Sequence, residues 1–154
     1  MMRKVLITGS TDGIGFETAR QLLAMGMHVL VHGRSEVKAT RQAKALTSHV
    51  AGANTTPVWG DLSRMREVAA LAEQVRVVAP VLDVLINNAG IYAQRRIITE
   101  DGFESTMAVN HFAPYLLTRL VGPLVSKAPA GRIVTVSSMA HQSGDIDLDD
   151  LTFE

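Results

Sequence analysis

Short apolar runs that alternate with helix-length segments are the feature that most restricts the fold of this chain. Five runs are predicted to be strands: KVLIT, HVLVH, TPVWG, DVLIN and RIVTV. Strands this apolar are typical of a sheet covered on both faces, which is a parallel sheet. Right-handed crossovers between parallel strands then predict an α/β fold, a Rossmann-type doubly wound sheet with strand order 3-2-1-4-5.

The segments between the strands carry helical signals. Apolar residues at spacings of three and four predict helices over residues 13–26 and 63–78. Ser35 is predicted to cap a further helix that ends near residue 50. The longest helix is predicted over residues 102–125, bent or locally loosened near Pro114 because proline lacks the amide N–H.

Length and composition limit the classes of protein. A chain of 154 residues suits one domain over residues 1–154, and 47% hydrophobic residues argue against disorder. Lys+Arg and Asp+Glu are both 15, so no basic excess favours nucleic acid or an anionic membrane. No apolar segment is uninterrupted enough to span a bilayer, and the first strand leaves no room for a signal peptide. We therefore expect a cytoplasmic protein.

Metal binding is not expected either. The absence of cysteine excludes disulfides and thiolate metal sites. The five histidines, at positions 28, 32, 49, 111 and 141, show no metal-ligand spacing within one element. Core, cap and surface roles account for them better than ligation.

The loop ITGSTDGIG occupies the first strand-to-helix turn, where a doubly wound sheet binds nucleotides. Gly9 allows a sharp turn, Gly13 leaves the helix start open to a pyrophosphate, and Gly15 allows the helix to pack close to the strand. A tight turn needs glycine whether or not a ligand binds, which is the alternative interpretation. Thr11, Asp12 and Ile14 belong to the same candidate loop.

Several motifs in this order resemble the short-chain dehydrogenase/reductase family, in particular its retinol-dehydrogenase-like and protochlorophyllide-reductase-like branch. The resemblance covers essentially the whole chain, and it is the joint occurrence of the motifs that is specific. They are Thr8-Gly9-x-x-x-Gly13-x-Gly15, Asp61-Leu62 after the third strand, NNAG over residues 87–90, Asn110 in the long helix, and VSS ending at Ser138.

The resemblance implies further cofactor contacts. Asp61 would accept a hydrogen bond from the adenine amino group, with Leu62 beside it. The alternative for Asp61 is a cap at the start of the third helix, and both roles could hold. Asn88, Ala89 and Gly90 would line the adenosine ribose.

The end of the second strand bears on the choice of dinucleotide. An NAD site usually has an acidic residue here that binds the ribose 2′-hydroxyl, whereas this sequence has Gly33 followed by Arg34. A guanidinium can bind a 2′-phosphate through contacts worth about 1.5–3 kcal/mol. The sequence thus predicts NADP as the preferred cofactor, with NAD also possible. The alternative is that Arg34 is a solvated loop residue.

The resemblance also implies a reaction centre in which a serine orients the substrate oxygen, a tyrosine exchanges the proton, a lysine lowers the tyrosine pKa, and an asparagine holds a water. Ser138 matches the serine and Asn110 the asparagine. Their alternatives are a strand-end hydroxyl and a helix-interior amide bonded to backbone. No Tyr-x-x-x-Lys follows Ser138, since the tyrosines are Tyr92 and Tyr115 and the last lysine is Lys127.

Three functions stay open at this stage. The first is an NADP(H)-preferring short-chain oxidoreductase acting on a carbonyl or alcohol substrate, represented by its amino-terminal cofactor-binding part and truncated after the fifth strand. The second is a non-catalytic dinucleotide-binding module, and the third a truncated remnant. Truncation is expected to expose apolar surface on strands four and five, which a homo-oligomer could cover.

Overall fold

A computed structural model describes residues 2–144 and 147–150 and places five strands in one parallel sheet. The strand order is β3-β2-β1-β4-β5, and every pair is parallel. This confirms the predicted Rossmann-type topology. The strands are β1 (Lys4–Ile7), β2 (His28–Gly33), β3 (Asn54–Trp59), β4 (Val84–Asn87) and β5 (Arg132–Thr135).

In the described part of the chain, five α-helices connect or follow these strands, and the first three lie close to their predicted positions. Ser35 caps α2 as predicted, because its hydroxyl oxygen accepts a hydrogen bond from the Lys38 amide at 3.4 Å. The helices are α1 (Gly13–Ala24), α2 (Glu36–His49), α3 (Met65–Val78), α4 (Ser105–Met107) and α5 (Ala113–Val125), with a π-helical segment at Ala108–Phe112 and a 3₁₀ turn at Met139–Ser143.

The core consists of two layers, one on each face of the sheet. Strand β1 contributes to both, since Leu6 packs with the layer formed by α3 and α5, and Val5 and Ile7 pack with the layer formed by α1 and α2. All three side chains are fully buried. A strand covered on both faces needs apolar residues at successive positions, which is why KVLIT does not alternate.

The long helix predicted over residues 102–125 begins later than predicted and is locally loosened just before Pro114, as the sequence indicated. Regular helix begins at Ser105, where the Glu104 carboxylate accepts hydrogen bonds from the amides of Thr106 and Met107 at 2.7 and 3.0 Å. Burial of Glu104 opposes its ionisation, but these two hydrogen bonds and those from the Ser105 and Thr106 hydroxyls together outweigh burial and lower the pKa of its carboxyl group. The helix then widens into the π-helical segment just before Pro114, which cannot donate to the Asn110 carbonyl.

Apolar exposure was predicted for both β4 and β5, and the structure shows it fully for β5 and in part for β4. Every residue of β5 is exposed, including Ile133 and Val134. Strand β4 lies between β1 and β5 and is more covered, but the Val84 and Ile86 side chains on one of its faces are only half-buried. A neighbour on each side covers the edges of β4, which is why less apolar surface is exposed there than on β5.

Two further findings concern membranes and metals. Within residues 2–144 and 147–150, no helix has the length and apolar character that crossing a bilayer requires. In the same part of the chain, no three His, Asp or Glu side chains are grouped so that they could hold a metal ion. The cytoplasmic location stays a prediction.

Candidate functional site

A cleft of about 670 Å³ lies at the carboxyl ends of the strands. This volume falls in the range of small-molecule sites, about 300–1,000 Å³. The structure brings all twelve predicted cofactor residues to its walls. They are Gly9, Thr11, Asp12, Gly13, Ile14, Gly15, Arg34, Asp61, Leu62, Asn88, Ala89 and Gly90.

Thr8 joins the two loops that form the middle of the cleft. Its side-chain oxygen accepts hydrogen bonds from the amides of Asn88 and Ala89, both at 3.0 Å. In return, the Asn88 side-chain amide donates to the carbonyls of Thr8 at 2.9 Å and Gly9 at 3.3 Å. The Asn88 side chain is therefore occupied in holding the glycine loop, which leaves its backbone to face the cleft.

Replacing Thr8 with valine is expected to lower the free energy of unfolding by about 2 kcal/mol. Valine keeps the shape of the side chain but leaves the Asn88 and Ala89 amides without their acceptor, and an unpaired buried donor costs about 1–3 kcal/mol. Thr8→Ser is the control, because it keeps the hydroxyl and should cost less than about 1 kcal/mol. Urea denaturation of the three proteins measures both values, and equal stability of Thr8→Val and Thr8→Ser would contradict the role of the oxygen.

The amino terminus of α1 is open to an anion. Asp12 occupies the N-cap position, yet its side chain makes no capping hydrogen bond. The carboxylate instead lies 3.1 Å from the Lys38 ammonium. Gly13 has φ +55°, and a Cβ there would meet no atom within 4 Å. Amide donors at an uncapped helix start suit a diphosphate, both by their hydrogen bonds and by the helix dipole.

His32, at the end of β2, holds the glycine loop through a hydrogen bond to its backbone. Its Nδ1 accepts a hydrogen bond from the Gly9 amide at 3.0 Å, and its Nε2 donates to the Gly60 carbonyl at 3.0 Å. Burial lowers the pKa of His32 to about 4, although the Gly60 hydrogen bond and the charge of Asp61 act in the opposite direction. The ring is therefore neutral at pH 7, which leaves Nδ1 free to accept.

Asp61 forms the turn before α3. Its Oδ1 accepts hydrogen bonds from the Ser63 amide at 2.9 Å and the Ser63 hydroxyl at 2.8 Å. Asp61 is therefore not the cap of α3, which begins at Met65 with Arg64 at its N-cap; it holds the turn before that helix, and it also lines the cleft. Its contact with an adenine amino group stays a prediction.

Next to Arg34, the wall contains two features that the sequence did not indicate. Lys38 lines the same cleft, four residues after Arg34 and in the first turn of α2. A Cβ on Gly33 would lie 2.8 Å from Thr11 Cγ2 and 3.1 Å from the Ala39 nitrogen. The position of Lys38 in the first turn of the helix that follows Arg34 is the signal that could have identified it.

The two predicted catalytic residues do not line the described cleft. Ser138 is exposed after β5, and its hydroxyl oxygen accepts a hydrogen bond from the Ala140 amide at 3.2 Å. Asn110 lies in the π-helical segment, where its side-chain amide accepts from the Ile91 nitrogen at 2.8 Å and donates to the Ile91 oxygen at 2.9 Å. Asn110 therefore has the backbone-bonded role considered as its alternative, and the catalytic roles of both residues stay predictions.

Comparison with known proteins identifies the family. The family described as short chain dehydrogenase matches residues 3–147. Human retinol dehydrogenase 14 is 38% identical over 165 aligned positions, which cover 99% of this chain and 49% of that protein. The chain spans about half the length of the curated relatives it matches.

Solved structures agree with the sequence match. An uncharacterized protein from Mycobacterium paratuberculosis is 37% identical with a TM-score of 0.79, covering 98% of this chain and 52% of that one. A metagenomic short-chain oxidoreductase in complex with NADP is 31% identical with a TM-score of 0.76, covering 90% of this chain and 62% of that one. The resemblance seen in the motifs is thereby confirmed: this chain belongs to the short-chain dehydrogenase family.

Proposed function

We propose that this chain is the cofactor-binding part of an NADP(H)-preferring oxidoreductase that acts on a carbonyl or alcohol substrate. The observation that carries the proposal is the cleft itself. It combines an uncapped helix start, suited to a diphosphate, with an arginine directly after Gly33, the position where an NAD site would have an acid. A relative in this family has been solved in complex with NADP.

The crowding at Gly33 supports the preference for NADP. An acidic side chain there would need its Cβ within 2.8 Å of Thr11 Cγ2 and 3.1 Å of the Ala39 nitrogen. Thr11 is buried and cannot easily move aside. The usual partner of the NAD ribose therefore does not fit, whereas the exposed Arg34 side chain is available to a 2′-phosphate.

Each part of the cleft would have a distinct task. The α1 amides would hold the diphosphate, and the backbone of residues 88–90 would pack against the ribose. When bound, the reduced nicotinamide would supply a hydride to a carbonyl carbon. By the family resemblance, Ser138 would orient the substrate oxygen, and a tyrosine–lysine pair that these 154 residues do not contain would deliver the proton to that oxygen.

Replacing Arg34 with alanine is expected to weaken NADPH binding about tenfold to a hundredfold and to change NADH binding by less than about twofold. Charge-assisted hydrogen bonds to the 2′-phosphate are worth about 1.5–3 kcal/mol, and NADH has no such phosphate. Isothermal titration with both reduced cofactors measures the change. Arg41→Ala, an exposed arginine on the helix that follows Arg34, is the matched control. An unchanged ratio of the two affinities would contradict the proposed role of Arg34.

A further inference from the structure

We propose that Asp101 is a positioning residue that holds the turn over residues 60–63 in place for the adenine of the cofactor. The inference rests on the proposed function and adds to it a residue that lies outside the motifs and does not line the cleft. Helix α3 follows this turn, and its N-cap residue Arg64 makes no side-chain capping hydrogen bond. The cap comes instead from Asp101, whose Oδ2 accepts a hydrogen bond from the Met65 amide at 2.8 Å.

A second carboxylate connects the start of α3 to the turn. Glu67, in the first turn of the helix, accepts a hydrogen bond from the Asp61 amide at 2.7 Å. The Asp61 carboxylate uses Oδ1 for both of its hydrogen bonds to Ser63, which leaves Oδ2 for the adenine amino group. A shift of the helix start would therefore move the Asp61 backbone and change how its side chain meets the base.

Asp101 belongs to a tight turn that lies against the start of α3. The Gly102 amide donates to the Thr99 carbonyl at 3.0 Å, and Gly102 has φ +81°. The neighbouring Glu100 carboxylate lies 3.0 Å from Arg66 Nε, in an ion pair that is exposed to solvent. An exposed ion pair contributes little, so the capping hydrogen bond is the stronger of these two contacts with the helix.

The segment that carries Asp101 also forms another part of the cleft wall. Ile91 and Ile97 line the cleft together with the turn over residues 60–63. The Ile97 carbonyl accepts a hydrogen bond from the Ser105 amide at 2.8 Å, which closes the loop that contains Asp101. Asp101 therefore connects two parts of the wall that are far apart in sequence and holds them relative to each other.

Two forms of the cofactor report the position of Asp61. NADPH and its analogue with hypoxanthine in place of adenine differ in the base alone, and hypoxanthine has an oxygen where adenine has the amino group. The unaltered protein should bind NADPH at least about tenfold more tightly, because only the amino group can donate to a carboxylate. Isothermal titration measures the ratio of the two affinities. Partial unfolding of a variant weakens both affinities equally and leaves the ratio unchanged.

Asp101→Ala should lower this ratio about threefold to tenfold, because loss of an N-cap destabilises the start of the helix. Asp101→Asn should keep the ratio within about twofold of the unaltered value, since the asparagine oxygen also accepts from a helix amide. Glu73→Ala is the matched control. It removes an exposed carboxylate that pairs with Arg76 on the same helix, and it should leave the ratio unchanged.

The connection through Glu67 is tested in a second background. In Glu67→Ala the Asp61 amide loses its contact with the helix, so Asp101→Ala should lower the ratio less than it does in the unaltered protein. An equal loss in both backgrounds would show that Asp101 does not act through Glu67 and would overturn the proposed route.

The outcomes separate this proposal from the proposed function. If the unaltered chain binds neither NADPH nor NADH, the proposed function fails and the role of Asp101 fails with it. If NADPH binds but is not distinguished from the hypoxanthine analogue, the cofactor proposal stands and the role of Asp101 is overturned. If the two are distinguished but Asp101→Ala behaves like Glu73→Ala, Asp101 is again not a positioning residue.

Discussion

Replacing Gly15 with alanine is expected to destabilise the protein by about 3 kcal/mol and to weaken dinucleotide binding at least about tenfold. An alanine Cβ would lie 2.4 Å from the Gly9 oxygen and 2.5 Å from Asn88 Nδ2. Neither atom can move freely, because Asn88 Nδ2 donates to the Gly9 and Thr8 carbonyls. Overpacking of this kind costs about 1–3 kcal/mol, or more where backbone must shift. The shift would displace the loop that faces the diphosphate.

Gly122→Ala is the control, because its expected effect on stability has the opposite sign to that of Gly15→Ala. It lies inside α5, a Cβ at this position would meet no atom within 4 Å, and its φ is not positive. Gly122→Ala should therefore stabilise the protein by about 0.5–1 kcal/mol, because alanine favours a helix. Thermal unfolding compares the variants, with a fall in Tm of roughly 6–12 °C expected for Gly15→Ala. A Tm for Gly15→Ala at or above that of the unaltered protein would contradict the close packing of the loop.

Acidification is expected to destabilise the protein between about pH 6.5 and pH 4 through His32. The folded chain holds the pKa of His32 at about 4, mainly because the ring is buried, whereas an unfolded histidine titrates near 6.5. Between these values the unfolded state binds more protons, so stability is complete above about pH 6.5 and falls as the pH falls. The loss approaches about 3 kcal/mol at pH 4. His28 adds to it in the same direction, since burial and then Lys4 lower its pKa.

His32→Gln should remove most of this pH dependence. A glutamine amide can accept from Gly9 and donate to Gly60, and it does not titrate. His49→Gln changes an exposed histidine and should leave the slope unaltered. Urea denaturation at pH 7, 6, 5 and 4 measures the slopes. Equal slopes for His32→Gln and the unaltered protein would show that His32 is not the group responsible.

Protonation of His32 would also affect the cofactor site. Protonated Nδ1 cannot accept from the Gly9 amide, so the hydrogen bond that fixes the glycine loop would be lost. The folded ring takes up its proton only near pH 4, so dinucleotide affinity, measured by isothermal titration, should hold down to about pH 5 and weaken only as the pH falls toward about 4.

The strand pattern and the motifs determined the fold and the location of the site. Apolar runs indicate strands that are buried on both faces, and the handedness of the crossover connections limits the order of parallel strands in the sheet. The strands β1 to β5 and their order could therefore be predicted from local sequence patterns. The carboxyl ends of parallel strands meet at one edge, which is why Gly9, Asp61 and Asn88 could be assigned to one cleft. The family also followed from the order of these motifs.

Only the tertiary structure decided how individual side chains are used. The Lys38–Asp12 pair joins residues 26 apart, and the Thr8 oxygen binds an amide 80 residues further along. The sequence predicts that His32 lies in a strand, but its ring is neutral because it is buried between the backbone of Gly9 and that of Gly60. Asn110 was assigned a catalytic role, while its amide is bonded to Ile91. Periodicity reports which face of an element is buried, whereas hydrogen bonds and charge pairs depend on distances across the fold, which no local pattern contains.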